Sequence, residues 1–142
     1  MRCLKFDDNC VFCKIVQKQA PSSVVYEDDF VMAFLDIRPA CEGHTLVVSK
    51  EHFEGILDIP GELLGKVYQV SKVVAKAVVR ALDADGVSVI QQNGRAANQV
   101  VFHLHVHVIP RHCGQKMKVD QELQTVGYNQ LDLTAAKIKA HI

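Results

Sequence analysis

The longest periodic pattern of the chain lies near its middle, where apolar residues recur at steps of three and four. The pattern opens at Pro60-Gly61 and ends near Leu82, with charged residues among the intervening positions. Such spacing predicts an amphipathic helix whose apolar face covers a sheet. Its apolar positions are Leu63, Leu64, Val67, Val70, Val74, Ala77, Val78 and Ala81.

Shorter segments with β-branched or alternating apolar residues flank this helix and predict strands. A second, shorter helical pattern covers residues 11–19 and is closed by Ala20-Pro21, since proline ends helices in this way. An acidic turn between the first two strand segments predicts a hairpin. The strand segments are residues 24–26, 30–36, 45–49, 87–91 and 100–109.

The order of these elements predicts an α+β fold, because consecutive short strands favour an antiparallel sheet with segregated helices. We expect about five strands, one long helix and one short helix, with Pro110 stopping the last strand. The segment after Gly114 is weakly patterned. We therefore expect one domain over residues 1–142, with a core at about residues 10–111 and a peripheral tail at residues 112–142.

Composition and charge exclude several classes of protein. The chain of 142 residues is 49% apolar and 23% charged, which is typical of a globular domain and not of a disordered one. Its formal net charge of zero gives no reason to expect nucleic acid or an anionic membrane as a partner. No segment approaches the roughly 20 apolar residues of a membrane helix, and the acidic N-terminal stretch is unlike a signal peptide. We expect a cytoplasmic protein.

The five cysteines do not suggest a disulfide framework, because their number is odd and no export signal accompanies them. Cys10 and Cys13 form a C-x-x-C pair, a spacing used in both redox and metal sites. Cys3, Cys41 and Cys113 are expected to be small apolar residues or surface thiols.

Three histidines alternate with apolar residues before Pro110. In a strand, His103, His105 and His107 would share one face, and Leu104 and Val106 would lie on the other. Packing alone seldom selects three such imidazoles, because each needs a hydrogen-bond partner when buried. They could bind a catalytic zinc ion, or they could bind a phosphate and attack it. The spacing leaves both possibilities open.

Residues 103–109 resemble the signature of the histidine triad family, three histidines alternating with apolar residues. Residues 34–39, 43–48 and 50–52 resemble the nucleoside-binding segment of that family, and Asn93-Gly94 followed by Gln99 resembles its phosphate loop. The branch most similar to this chain is the Hint-like group of bacterial proteins. The resemblance implies the histidine triad fold and a role in nucleotide chemistry.

The resemblance also implies a role for each matching residue. His105 would be the nucleophile that attacks the α-phosphate, His107 would lie against the phosphate, and His44 would orient the histidines or relay protons. The substrate-binding residues would be Asp36 for the ribose hydroxyls, Ile37 for the base or sugar, and Asn93, Gln99 and His107 for the phosphoryl oxygens.

Some bacterial members of the family carry a structural zinc site, which in this chain would use Cys10, Cys13, His52 and His103. Such a closed site would pin the first helix to the sheet, and the chemistry would need no cofactor. The family also implies a homodimer formed through the long helix and a sheet edge.

One position departs from the pattern, because many Hint-like members have a serine where this chain has Val100. The chain also has no tryptophan, which some relatives carry near the C-terminus. The resulting hypothesis is a nucleotidyl hydrolase or transferase that cleaves purine nucleoside phosphoramidates, adenylates or dinucleoside polyphosphates through a nucleotidyl-histidine. Two alternatives are a non-catalytic purine nucleotide-binding or scaffold protein, and a zinc-dependent hydrolase with the three triad histidines as ligands.

Overall fold

The computed structural model describes residues 4–118 and 120–142, and its centre is a five-stranded sheet. The strands lie in the order β1-β2-β3-β5-β4, and each neighbouring pair is antiparallel. The predicted α+β fold with five antiparallel strands is confirmed. In chain order the elements are α1 (Val11–Val16), β1 (Val24–Glu27), β2 (Val31–Leu35), β3 (Thr45–Ser49), α2 (Gly61–Ala81), β4 (Gly86–Gln91), β5 (His105–Arg111) and α3 (Tyr128–Lys139).

Helix α2 covers one face of the sheet and forms the main core with it. Val67, Val74 and Val78 are fully buried on the helix, and Val47 and Val106 are fully buried on the central strands beneath. These three valines are among the apolar positions that predicted the helix. Helix α2 begins directly after Pro60. No helix within residues 4–118 and 120–142 is long and apolar enough to cross a membrane.

The short helix α1 lies on the other face of the sheet. Phe12 and Ile15 pack there with Phe34, Leu46 and Val48 in a second apolar cluster. In the antiparallel register Leu46 lies opposite His107 and Val48 lies opposite His105. Since paired residues of neighbouring strands point to the same face, these histidines lie on the α1 side of the sheet.

The last strand begins later than the pattern predicted and does not stop at Pro110. Strand β5 starts at His105 because the neighbouring strands end there, with Val48 of β3 opposite His105 and Gln91 of β4 opposite Val106. His103 therefore precedes the strand, although its ring still lies on the α1 side, against Phe12. Pro110 remains within the strand, opposite Val87.

The tail is not peripheral, which corrects the expectation for residues 112–142. Helix α3 buries four side chains against the core and packs on α2, β1 and β2. Their spacing of three and four is helical, but a threonine and an alanine among them weaken the apolar signal in the sequence. The buried side chains are Leu131, Thr134, Ala135 and Ile138.

Candidate functional site

The four residues predicted to hold zinc converge in one buried cluster at the start of α1. The Sγ of Cys10 lies 3.4 Å from Nδ1 of His103, and the Sγ of Cys13 lies 3.3 Å from Nδ1 of His52. The two Nδ1 atoms are 3.2 Å apart. Ligand atoms around a tetrahedral zinc ion, with bonds of about 2.0–2.3 Å, are separated by about 3.3–3.8 Å. The cluster therefore has nearly the dimensions of a zinc site.

Partners outside the cluster leave Nδ1 of both imidazoles directed towards a metal, through a hydrogen bond at His103 and a more distant carboxylate at His52. Nε2 of His103 lies 2.6 Å from the carbonyl oxygen of Ser49, which can only accept. Nε2 of His103 therefore carries the proton, and its Nδ1 presents a lone pair to the cluster. His52 also directs Nδ1 into the cluster, with its Nε2 located 3.9 Å from a carboxylate oxygen of Asp7. Histidine ligands of metals are usually supported in this way.

The protonation states of the cluster also suit a divalent cation. Burial raises the pKa of the Cys13 thiol to about 11, and burial lowers the pKa of the His103 imidazole to about 4. At neutral pH the imidazole is thus a neutral ligand, and the thiol loses its proton only when a cation compensates the charge. Two cysteine sulfurs and two imidazole nitrogens are a donor set that zinc prefers in structural sites.

His105 is the triad histidine whose Nδ1 is bonded to the backbone. Its Nδ1 lies 2.7 Å from the backbone carbonyl oxygen of His103, so Nδ1 carries the proton and donates it. Nε2 is then left with a free lone pair. Burial lowers the pKa of His105, which favours this neutral form at physiological pH.

A hydrogen-bond chain determines which nitrogen carries the proton in His44 and in His107. The backbone N–H of Ala40 donates to Nδ1 of His44, and Nε2 of His44 lies 2.9 Å from Nδ1 of His107. Because Nδ1 of His44 accepts, its Nε2 must donate, and His107 is left with its proton on Nε2. Burial lowers the pKa of both imidazoles to about 4. His107 therefore presents a neutral N–H donor.

The hydrogen bonds from Ala40 to His44 and from His44 to His107 argue against a second metal ion at the group formed by Asp36, His44 and His107. The three side chains are close enough to share an ion, with Asp36 Oδ2 only 3.7 Å from Nε2 of His44. A metal on Nε2 of His44 would move the imidazole proton to Nδ1, where it would face the N–H of Ala40. The geometry thus fits a hydrogen-bond chain better than a metal site.

The three triad histidines do not form one ligand set. His103 belongs to the cysteine cluster and His107 to the group with Asp36, and no cluster within the described chain combines His103, His105 and His107. A catalytic zinc held by these three imidazoles is therefore not supported by the geometry.

The predicted ribose and base residues lie where β2 ends. Asp36 Oδ1 accepts the N–H of Arg38, and burial raises the pKa of the Asp36 carboxyl. Ile37 is exposed at 44% and could contact a planar ligand. The tail supports this turn, because the N–H of Val126 donates to the carbonyl of Ile37 at 2.8 Å.

The two amide side chains predicted to contact phosphate are engaged within the protein. Gln99 accepts the N–H of Gly94 and donates to the carbonyl oxygens of Glu54 and Val101. These bonds shape the loop between β4 and β5, and a direct contact of Gln99 with phosphate stays a prediction.

Asn93 is held in a similar way. Its Oδ1 accepts the N–H of Ile56 at 2.7 Å and a side-chain N–H of Gln91. A Cβ at Gly55 would lie 2.6 Å from the same oxygen, so a larger residue there would push the Asn93 amide out of this position. Contact of Asn93 with phosphate also stays a prediction.

Sequence reasoning missed two parts of the site. Ala40 acts through its backbone, which no pattern of side chains reveals. Phe12 lies between the two cysteines of the C-x-x-C pair, and its ring lies 5.1 Å from that of His105 at 87°. Its position in the sequence between two candidate metal ligands could have identified it as part of the site. Of the other cysteines, Cys113 is exposed and Cys41 half-buried, and Cys3 lies outside the described residues.

Comparison with known proteins identifies the family. The model of the HIT domain, the histidine triad domain, matches residues 17–114. The chain belongs to the HIT family. An uncharacterized HIT-like protein of Methanocaldococcus jannaschii is 47% identical over 106 residues, which are 74% of this chain and 81% of that protein. Adenosine 5'-monophosphoramidase HNT1 of Saccharomyces cerevisiae is 41% identical over 105 residues, covering 74% of this chain and 64% of the yeast enzyme.

Solved HIT structures share the fold over nearly the whole chain. A Hit-like protein from Bartonella henselae superposes with a TM-score of 0.89 at 40% identity, covering 96% of this chain and 99% of the other. A zinc-bound histidine triad family protein from Mycobacterium smegmatis superposes with a TM-score of 0.84 at 36% identity, covering 94% and 92%.

Proposed function

We propose that this HIT protein is a nucleotidyl hydrolase that cleaves purine nucleoside phosphoramidates and related adenylates or dinucleoside polyphosphates. The observation that carries the proposal is the hydrogen bond from Nδ1 of His105 to the carbonyl oxygen of His103. It leaves Nε2 of a neutral imidazole free to attack phosphorus. The relation to a yeast adenosine 5'-monophosphoramidase supports the phosphoramidate class of substrate.

The reaction would proceed in two displacement steps at the α-phosphorus. First, the Nε2 lone pair of His105 forms a bond to phosphorus while the bond to the leaving nitrogen breaks. The leaving amine keeps that electron pair and takes a proton from solvent. Water then attacks the nucleotidyl-histidine, loses a proton and returns the electron pair of the N–P bond to Nε2. The carbonyl of His103 accepts from Nδ1 throughout and stabilises the positive charge of the phosphorylated imidazole.

His107 would act as a hydrogen-bond donor and not as a general acid. The hydrogen-bond chain from Ala40 through His44 keeps the proton of His107 on Nε2. If His107 released that proton, His44 could replace it only by becoming an imidazolate, which is far too basic to form at neutral pH. A fixed N–H aimed at the phosphoryl oxygens instead stabilises the charge that grows there.

The remaining predicted residues would bind the nucleoside and shape the loop. The Asp36 carboxylate suits the two hydroxyls of a ribose, and the exposed side chain of Ile37 suits a purine ring. Val100 is 81% exposed and offers no polar side-chain atom. The leaving group would therefore receive no hydrogen bond from that side chain.

We also propose that zinc occupies the cluster of Cys10, Cys13, His52 and His103. The distances, the free Nδ1 atoms and the donor set fit this ion, and a similar HIT protein from Mycobacterium smegmatis is zinc-bound. The ion would be structural, because four protein ligands leave no open position for water. A reducing compartment such as the cytoplasm would keep the two cysteines as thiols for the metal.

Two copies of the chain are proposed to form a homodimer through β4 and α2. Strand β4 lies at an edge of the sheet, with Val87 and Val89 partly exposed. Both point to the α2 side, since Val89 lies opposite the core residue Val108. Tyr68 and Val73 expose further apolar surface on α2.

The test is the intact mass of the protein after a rapid, non-acidic quench with an adenosine phosphoramidate. We expect an added mass of one AMP on the wild type and on His141→Ala, an exposed control, and no adduct on His105→Ala. Nucleotide binding without adduct or turnover in the wild type would contradict the proposal and favour a nucleotide-binding protein.

A further inference from the structure

Phe12 has no role in the proposed mechanism, yet it connects the metal cluster with the proposed nucleophile, His105. It lies in α1 between the ligands Cys10 and Cys13, and it is buried. Its ring lies 5.9 Å from that of His103 and 5.1 Å from that of His105, at interplanar angles of 72° and 87°. One side chain thus contacts both a metal ligand and the attacking imidazole.

The ring of His105 contacts two other rings. The ring of Phe12 lies 5.1 Å away at 87°, and the ring of His107 lies 4.9 Å away at 69°. Rotation of the imidazole about its last torsion would carry Nδ1 away from the carbonyl of His103 and change the direction of the Nε2 lone pair. Such terminal torsions are broad and two-fold unless packing restricts them. Phe12 supplies packing of this kind.

Helix α1 cannot hold Phe12 in place by its own stability. It has six residues, Val11–Val16, and helices this short are not stable in isolation. Cys10 is its N-cap, where the thiol accepts the N–H of Cys13. The contacts of these two cysteines with His103 and His52 tie the first turn of the helix to the sheet. A bound metal would turn these contacts into bonds.

We propose that Phe12 is a positioning residue for His105, and that occupation of the metal cluster orients the nucleophile through it. Only the expected change in the rate of adduct formation rests on the proposed nucleotidyl hydrolase function. Metal bound by Cys10 and Cys13 fixes α1, α1 fixes the ring of Phe12, and the ring fixes the imidazole plane. The metal takes no part in the chemical steps.

The experiment compares Phe12→Leu with Ile15→Ala, each with zinc loaded and after chelation. Phe12→Leu removes the ring but keeps a branched apolar side chain, so the fold should survive. Ile15→Ala removes the same number of side-chain carbons from the same apolar cluster. Metal analysis verifies that both variants load zinc like the wild type. The readouts are the nitrogen-proton NMR signals of the His105 imidazole, the rate of AMP adduct formation, and KM.

We expect one imidazole signal set with a protonated Nδ1 for zinc-loaded wild type and Ile15→Ala. Phe12→Leu should give broadened or doubled signals and an adduct rate lower by about 10-fold or more, with KM changed less than about 3-fold, since small misplacements of a reacting group are costly. Chelated wild type should resemble Phe12→Leu, and chelation of Phe12→Leu should add little, because coupled sites are not additive.

The proposal is overturned if Phe12→Leu keeps the wild-type signals and adduct rate, or if Ile15→Ala disturbs His105 equally. Additive effects of chelation and Phe12→Leu would overturn the role of the metal. If the wild type forms no AMP adduct and does not turn over the phosphoramidate, the proposed function fails, whereas the imidazole signals still decide whether Phe12 and the metal orient His105.

Discussion

His103 and His105 are joined by a hydrogen bond of 2.7 Å from the imidazole Nδ1 of His105 to the backbone carbonyl of His103. His103 therefore belongs to two clusters at once, because its side chain faces the cysteines and its carbonyl faces the next histidine. The alternation of the sequence motif makes this possible. His105 lies two residues after His103, so its imidazole can donate to the His103 carbonyl oxygen. The His103 imidazole meanwhile points to the cysteine cluster.

We expect His107→Ala to slow catalysis without abolishing the nucleotidyl-histidine. The substitution removes one preorganised N–H from the phosphoryl oxygens but leaves His105 and its carbonyl partner in place. Loss of one such donor costs about 100- to 1000-fold in kcat. Pre-steady-state measurement of adduct formation checks this, with His112→Ala as the control outside the site. A rate within a factor of about two of the wild type would refute the role of His107.

Removal of zinc should destabilise the protein, because a metal bound by the proposed cluster would link α1 to the sheet. We expect about one zinc ion per chain, and a fall in Tm of about 10 °C or more for chelated protein or Cys13→Ser. Cys113→Ser is the matched control, since Cys113 is exposed. Metal analysis and thermal unfolding provide the test, and zinc-free wild type with an unchanged Tm would speak against a structural metal.

Stability should fall in acid because buried imidazoles, among them His44 and His107, take up protons on unfolding. Burial lowers the pKa of His44 and His107 from 6.5 to about 4. The unfolded chain thus binds more protons between these values, and the free energy of unfolding decreases as pH drops from about 6.5 to 4. The slope approaches about 1.4 kcal/mol per pH unit for each imidazole.

Urea unfolding of wild type and His44→Asn at a series of pH values tests this expectation. Both proteins retain the cysteine cluster, so release of metal in acid affects them alike. The variant should have the shallower slope over the interval, because it has one buried imidazole fewer to titrate. Identical slopes would mean that His44 is not held neutral in the folded protein.

Helix α3 should contribute substantially to stability. Ile138 is fully buried, and Ile138→Ala should lower the free energy of unfolding by about 2–5 kcal/mol through lost burial and a cavity. Leu133 lies on the same helix but is 64% exposed. Leu133→Ala should therefore change stability by less than about 0.5 kcal/mol. Equal effects of both substitutions in denaturant unfolding would contradict the burial of α3.

Features encoded within one stretch of the chain were predictable from the sequence, and features that depend on neighbouring elements were not. Helix α2 was predictable because its apolar positions repeat over a long stretch. Helix α3 was missed because Thr134 and Ala135 occupy two of its four buried positions. The start of β5 is determined by where its neighbouring strands end, and the pattern of one strand does not contain that information.

Some features of the site were likewise predictable from the sequence, and others were not. The family resemblance grouped Cys10 and Cys13 with His52 and His103, which are distant in the chain and adjacent in the fold. The proton arrangement was not predictable, because it depends on backbone groups such as the N–H of Ala40. Asn93 and Gln99 were expected to face a ligand, yet their amides are already bonded within the protein.

The edge strand β4 should determine the oligomeric state. Its valines, Val87 and Val89, form an apolar row beside unpaired backbone groups, and such an edge favours pairing with another chain. We expect wild type to have about twice the chain mass of 15.8 kDa in light scattering and Val89→Lys to be a monomer. Leu133→Lys, an exposed change on α3, should remain dimeric. A monomeric wild type, or a dimer that tolerates lysine at position 89, would place the interface elsewhere or exclude it.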